Sequence, residues 1–279
     1  MESPLKWVGG KRDMVSIIIP LIPKHKMYIE PFFGSGKIFF AKPPSSIEII
    51  NDLNGELVNF FKMLRDLGDE LARLMDCSPY SRQFLQETHE NFKTEKDPLK
   101  RAWMFYVINR LSYRGSMGGG MTFKISGIKG NHIGRNIAQS YRKLENTIED
   151  LKHRLKNVQI DNRPAIDVIE RYLSSEKCFI YLDPPYVSST RKSGKQYSCE
   201  MNDKQHKKLL ETITDKKVKA NIMISGYGHP LYKTWLEDKG WNRVTKMRKR
   251  DMSGKKGVKV EECLWMNYKT KPKGLFCKP

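Results

Sequence analysis

The chain has 279 residues, 39% of them hydrophobic, with 51 Lys and Arg against 31 Asp and Glu. The formal net charge of +20 and pI near 9.7 favour polyanion partners, nucleic acid before acidic membrane, while 10% aromatics exclude a disordered basic tail. No 18-residue apolar stretch exists, so no membrane span is expected.

The early apolar run Val15 to Ile22 is short, is broken by Ser16 and Pro20, and lacks the small-residue cleavage site of a signal peptide. Five scattered cysteines (77, 178, 199, 263 and 277) form no C-x-x-C pair, which fits free thiols in a reducing cytoplasm. Six histidines show no ligand spacing, so no metal site is expected.

Near the N-terminus stands Lys6-Trp-Val-Gly-Gly-Lys11. A glycine pair between an aromatic and a lysine folds readily over a ligand, with Lys11 on a carboxylate and Trp7 on a cationic or aliphatic part. The competing reading is an arm with a buried tryptophan. Residues 27–33 read as a strand running into the turn Gly34-Ser35-Gly36, and residues 47–52 as a second short strand ending in Asp52. The turn lacks the third glycine of the dinucleotide fingerprint. Asp52 follows Gly36 by 16 residues and is placed for ribose hydroxyls, unless it caps the following helix. A short glycine turn plus a second-strand acid suits a nucleoside cofactor without a pyrophosphate, such as S-adenosylmethionine.

Apolar spacing predicts one helix from Leu53 to Met75, then helices over 80–92 and 97–113, the last opened by Asp97-Pro98. Residues 113–135 hold seven glycines and read as a functional loop. A helix is expected over about 136–156, a strand over 158–161 ending in Asp161, and a helix over 164–173. The run Cys178 to Leu182 reads as a buried strand, followed by Asp183-Pro-Pro-Tyr186 and a polar loop to Met201. Beyond lie a helix over 202–214, a strand over 220–225, a helix over 229–239, and strands near 241–250 and 258–268. The basic run Lys246 to Lys256 reads as an exposed hairpin or turn.

Strands alternating with helices at both ends imply an α/β fold with a mainly parallel, doubly wound sheet. The middle reads as an insert. Residues 1–54 and 157–279 would form a discontinuous catalytic domain, and 55–156 a helical, glycine-rich recognition module.

The tetrapeptide carries the chemistry. Ligands of open α/β sheets bind beyond the carboxyl ends of strands. There Asp183 is an acceptor, the prolines have no N–H to compete, and the carbonyl of Pro184 stays available. An acceptor pair beside the flat face of Tyr186 suits a planar group bearing an amine, such as a nucleobase. The plainer alternative is a Pro-Pro turn closing a strand.

Taken together and in order, Pro4-Leu-Lys-Trp-Val-Gly-Gly-Lys11, Tyr28-Ile-Glu-Pro-Phe-Phe-Gly-Ser-Gly36, Asn51-Asp-Leu-Asn54 and Asp183-Pro-Pro-Tyr186 resemble the Dam-type DNA adenine-N6 methyltransferases. So do Ser225-Gly-Tyr-Gly-His-Pro-Leu-Tyr232 and Glu261-Glu-Cys-Leu-Trp-Met-Asn267. The resemblance implies a Rossmann-like methyltransferase fold, S-adenosylmethionine as donor, and transfer to an adenine flipped out of double-stranded DNA. It implies cofactor roles for Trp7, Gly10, Lys11, Glu30, Phe32, Gly34, Gly36, Asp52, Asp161 and Asp183. Asp183, Pro184 and Tyr186 take the catalytic positions. Basic residues for the phosphates would be Arg110, Arg114, Lys124, Lys129 and Arg135 in the insert, and Arg191, Lys192 and Lys195 after the tetrapeptide. No metal, membrane or obligate protein partner is implied. The segment Asn109 to Gly120 departs from the family's asparagine-rich stretch, so no recognition sequence carries over, and GATC is only the first site to test. The tetrapeptide itself leaves cytosine-N4 of DNA and adenine of RNA open. A non-catalytic nucleic-acid-binding module is a further alternative, against which the intact site residues count.

Overall fold

The computed structural model describes residues 1–6, 11, 13–112, 123, 128–129, 132–133, 147–187, 201–252 and 255–270, with backbone alone at 128–129, 132–133, 248–252 and 255–259. In chain order the helices are α1 (Val15–Leu21), α2 (Lys37–Ala41), α3 (Gly55–Asp66), α4 (Gly68–Asp76), α5 (Arg82–Phe92), α6 (Pro98–Leu111), α7 (Ile148–Leu155), α8 (Ala165–Tyr172), α9 (Asp203–Ile213) and α10 (Pro230–Trp235). The strands are β1 (Met27–Glu30), β2 (Ile47–Asn51), β3 (Ile128–Lys129), β4 (His132–Ile133), β5 (Val158–Asp161), β6 (Cys178–Leu182), β7 (Asn221–Tyr227), β8 (Asn242–Met252) and β9 (Lys255–Met266).

Seven strands form one sheet in the order β5-β2-β1-β6-β7-β9-β8. β1 pairs in parallel with β2 and with β6, and β6 in parallel with β7. β9 runs antiparallel to both β7 and β8. This is the Rossmann-like, mostly parallel sheet expected from the alternating pattern. Strand order departs in opposite directions from the adjacent pair β1 and β6. That pair is the topological switch point, where ligands of such sheets bind.

The described chain packs as two units. One comprises Met1–Val15, Gly34–Pro44 and Asp52–Asn162; the other comprises Ser16–Phe33, Ser45–Asn51 and Arg163–Pro279. In the first, α3 and α6 supply an aromatic core. Phe60 is fully buried, stacks on Tyr106 with centroids 6.0 Å apart, and meets Phe61 edge-on at 5.2 Å. The single helix expected over 53–75 is in fact two. Leu67, at φ −132°, ψ 41°, breaks it, and α4 begins at Gly68. A Cβ at Gly68 would stand 2.6 Å from Cδ of Lys152, whose ammonium reaches Asp69 at 2.8 Å. The lysine stem thus passes close over the Gly68 backbone at the start of α4. Asp97 caps α6 by accepting the Lys100 N–H at 2.8 Å, with Pro98 in the first turn, as the sequence indicates.

In the second unit one sheet face is aliphatic. Ile29, Ile49, Ile180, Leu182, Ile222 and Ile224 bury against Val168 and Ile169 of α8 and Leu209, Leu210 and Ile213 of α9. Alternation along the strands sends Tyr28, Glu30, Glu48, Tyr181 and Ser225 to the opposite face, and all five are buried. Buried polar groups need partners, so polar residues on inner strands point to a site rather than to packing.

Candidate active site

β6 is buried along its whole length and delivers Asp183 at the switch point. The register Leu182↔Ile224 brings the next residue of β7, Ser225, beside it. Ser225 Oγ donates to Asp183 Oδ1 at 2.9 Å. The same oxygen lies 3.3 Å from the Leu182 carbonyl and 3.3 Å from the Tyr181 hydroxyl. Ser225 and Tyr181 are both fully buried. The half-buried carboxylate is therefore oriented by the Ser225 hydroxyl, which is itself held beside that of Tyr181.

The charge of Asp183 is felt nearby. Burial, and secondarily Asp183, pushes the Tyr232 phenol well above its usual range, and the Tyr232 hydroxyl lies 3.2 Å from Nδ1 of His206.

Pro184 and Tyr186 are buried, and Pro185 is half-buried. Tyr186 is held at both ends. Its hydroxyl donates to Glu262 Oε1 at 3.0 Å, and its ring meets Tyr227 edge-on at 4.4 Å. The pairing Tyr227↔Glu262 between β7 and β9 sets that grip. Glu30, at the end of β1, is 2% exposed and accepts the Tyr28 hydroxyl at 2.7 Å. Burial first, and the Glu30 charge second, raise the Tyr28 phenol well above its ordinary value. Phe32 is half-buried against the aliphatic core.

The glycine turn and Asp52 form a cluster of their own in the first unit. Gly34 and Gly36 adopt φ of 50° and 66°, the left-handed region that glycine enters without strain. The Gly34 N–H donates to Asp52 Oδ2 at 2.8 Å, and the Asn54 N–H to Oδ1 at 2.9 Å. The cap of α3 is Asn54, which accepts from Glu56 and Leu57. Asp52 is thus not the helix cap. Burial raises its carboxyl above 3.8, opposed by backbone N–H bonds from Asn54, Gly34 and Leu53. A carboxylate has about four lone-pair sites, so three bonded N–H groups still leave acceptor capacity for a ligand hydroxyl.

Asp161 stands beside this cluster through its backbone, whose carbonyl accepts the Asp52 N–H at 3.4 Å. Its half-buried carboxylate takes the Gln159 amide at 2.9 Å. Lys11 is 3% exposed, and its carbonyl accepts from Met14 and Val15. The N-terminal arm is pinned to α6 by Asn109, whose side chain accepts the Lys6 N–H at 2.9 Å and donates to the Lys6 carbonyl at 2.7 Å. Arg110, on the last turn of α6, lies over the Tyr106 ring at 5.8 Å. Trp7, Gly10, Arg114, Lys124, Arg135, Arg191, Lys192 and Lys195 lie outside the described residues, as does the side chain of Lys129.

Ser225, Glu262, Tyr227 and Asn109 are the members that residue-by-residue reading of the sequence missed as site residues. Ser225, Tyr227 and Glu262 do fall within segments quoted for their family likeness. A serine in the apolar strand β7 and a glutamate immediately before the apolar run Cys263 to Met266 were the available signals. Among the described residues no group of three or more His, Cys, Asp or Glu stands close enough to hold a metal ion, and no helix is long and apolar enough to cross a membrane.

The Rossmann-like sheet thus carries an oriented Asp-Pro-Pro-Tyr segment at its switch point, and the methyltransferase class is shown by comparison with known proteins. Residues 7–250 match the family model of D12 class N6 adenine-specific DNA methyltransferases, and the chain belongs to that family. It is an adenine-specific DNA methyltransferase. Similar proteins include the Type II methyltransferase M.MjaIII of Methanocaldococcus jannaschii, 26% identical over 95% of this chain and 98% of its own. The DNA adenine methylase of Escherichia coli K12 is 26% identical over 93% of each chain, and the Type II methyltransferase M1.LlaDCHI of Lactococcus lactis subsp. cremoris 22% identical over 94% of each.

Proposed function

We propose that the chain transfers the methyl group of S-adenosylmethionine to N6 of an adenine flipped out of duplex DNA, with Asp183, Pro184 and Tyr186 at the reacting amine. The observation that carries this reading is the Asp183 carboxylate, fixed by the Ser225 hydroxyl at the carboxyl end of β6.

The residues present suit the donor. Asp52 is a half-buried acid whose two oxygens accept backbone N–H bonds, with acceptor capacity left for a ribose hydroxyl. Gly34 and Gly36 remove side chains where a ligand must approach the backbone. Glu30, Phe32, Lys11, Trp7, Gly10 and Asp161 complete the proposed set. When bound, S-adenosylmethionine supplies an electrophilic sulfonium methyl.

The protein's task is to make a poor nucleophile attack. The N6 lone pair of adenine is delocalised into the ring. Asp183 accepts one N6–H and the Pro184 carbonyl accepts the other, which draws the lone pair back toward nitrogen. Neither group donates a competing hydrogen. Asp183 need not be a strong base, because the nitrogen becomes cationic as the N–C bond forms, and its excess proton then passes to Asp183 or to water. Holding the amine in a near-attack position contributes at most about 7–11 kcal/mol.

An adenine inside a duplex cannot reach this site, and extruding it costs a few kcal/mol. Stacking on Tyr186 offsets about 1–3 kcal/mol of that. The grip of Glu262 and Tyr227 keeps the ring from turning away. Residues 55–156 serve as the target-recognition module, and Arg110, Arg114, Lys124, Lys129, Arg135, Arg191 and Lys192 contact phosphates.

The test is transfer of a labelled methyl group from S-adenosylmethionine into N6-methyladenine of duplex DNA. Asp183→Ala should lower kcat by at least about 100-fold, the scale of a lost proton acceptor, while donor binding by calorimetry persists. Undiminished transfer by that variant, or label appearing on cytosine, overturns the assignment.

A further inference from the structure

One basic feature stands outside the residues assigned above. β7 pairs with β9 only from Tyr227↔Glu262 to Met223↔Met266. The β8–β9 pairing continues past that point, from Met247↔Glu261 to Arg250↔Val258, and closes at Met252↔Lys255 after a register shift. Among the described residues, no other strand pairs with this outer stretch. It is a two-stranded ribbon leaving the sheet edge, about 24 Å long if seven residues each rise about 3.4 Å.

Its composition is one-sided. Residues 247–261 hold six Lys and Arg against two acids, Asp251 and Glu261. Like charges set opposite each other on paired strands destabilise the pairing. Lys249 nevertheless stands opposite Lys259. A repulsion of that kind is relieved by a polyanion. Lys246 stands opposite Glu262, the residue that holds Tyr186, so the ribbon leaves the sheet beside the candidate site. At the root, Met247 is 58% exposed. The major groove of B-DNA, about 12 Å wide, admits a two-stranded ribbon.

We infer that the outer β8–β9 ribbon is a DNA-contacting arm, lying in a groove of the duplex flanking the target adenine and neutralising its phosphates. The inference rests on the proposed duplex-DNA function and adds to it a contact surface outside the recognition module.

The experiment measures duplex-DNA affinity against salt for the wild-type chain, for the triple variant Arg248→Gln/Lys249→Gln/Arg250→Gln, and for the charge-conserving Arg248→Lys/Arg250→Lys. Each neutralised phosphate contact carries a slope near 0.9 in log affinity against log salt, so the triple variant should flatten the slope by about 2.7. At about 0.1 M salt its affinity should fall at least about tenfold, and the lysine variant should keep the wild-type slope. Donor binding and a thermal melt establish that each variant is folded. A folded triple variant with unchanged slope and affinity overturns the inference while leaving the methylation reading in place. Weakened binding to phosphatidylserine vesicles with DNA affinity untouched would assign the arm to a membrane and equally overturn it. A wild-type chain that neither binds nor methylates duplex DNA would sink the function itself, and this arm with it.

Discussion

Replacing Ser225 by alanine tests how Asp183 is made competent. The fully buried Ser225 hydroxyl donates to Oδ1 of the half-buried Asp183 at 2.9 Å. Hydrogen bonds to charged groups contribute about 1.5–3 kcal/mol. If that interaction holds the carboxylate where the adenine amine must donate, its loss appears in the barrier. At 1.36 kcal/mol per tenfold, kcat should fall roughly 10- to 160-fold. That is smaller than or comparable to the loss from removing the carboxylate itself, since Asp183 remains present but less well aimed. Ser225 is a positioning residue, so donor Kd and duplex Kd should stay within about twofold of wild type. Ser225→Thr keeps the hydroxyl and should recover most of the rate. The assay is single-turnover methyl transfer with saturating donor and DNA. Unchanged kcat with raised KM would mean that the hydroxyl serves binding or packing. An equal loss in the threonine and alanine variants, both folded, would refute the orientation argument as well.

Asp52 ties donor binding to pH. Burial raises its carboxyl above 3.8, so the folded state favours the protonated form, and ionising it costs stability as pH rises through the window above 3.8. Donor binding runs the other way, because ribose hydroxyls need the ionised acceptor. Affinity for S-adenosylmethionine, measured by calorimetry from about pH 8 down to about pH 4, should decline through that raised value, and Asp52→Asn should flatten the decline. Phe60→Ala removes a fully buried ring stacked on Tyr106 and should cost about 3–5 kcal/mol in urea unfolding; a loss under about 1 kcal/mol would show that the α3–α6 core closes around the gap. Burial pushes the Cys263 thiol up to about 11, with Arg243 pulling the other way, whereas Cys77 is exposed. Alkylation near pH 8 should therefore mark Cys77 first and spare Cys263 until denaturant is added, as peptide mapping would show.

What the sequence determined by itself is local and short in range. Apolar runs located the inner strands, Asp97-Pro98 marked the start of α6, and the order of the Trp-x-Gly-Gly-Lys, glycine-turn and Asp-Pro-Pro-Tyr segments indicated the family. These signals need only neighbouring residues, because strand alternation, helix caps and proline's missing N–H act within a few positions. What only the tertiary structure decided joins residues far apart in the chain. Ser225 meets Asp183 across 42 positions and Glu262 meets Tyr186 across 76, because parallel and antiparallel pairing on either side of β7 fixes which side chains share a face. Asn109 holds the backbone of Lys6 across 103 positions. The break at Leu67 was likewise invisible to apolar spacing, and so was the division by which Asn54 caps α3 while Asp52 accepts the Gly34 N–H. Composition showed which groups the chain could offer. Strand register decided which of them were brought within a hydrogen bond of one another.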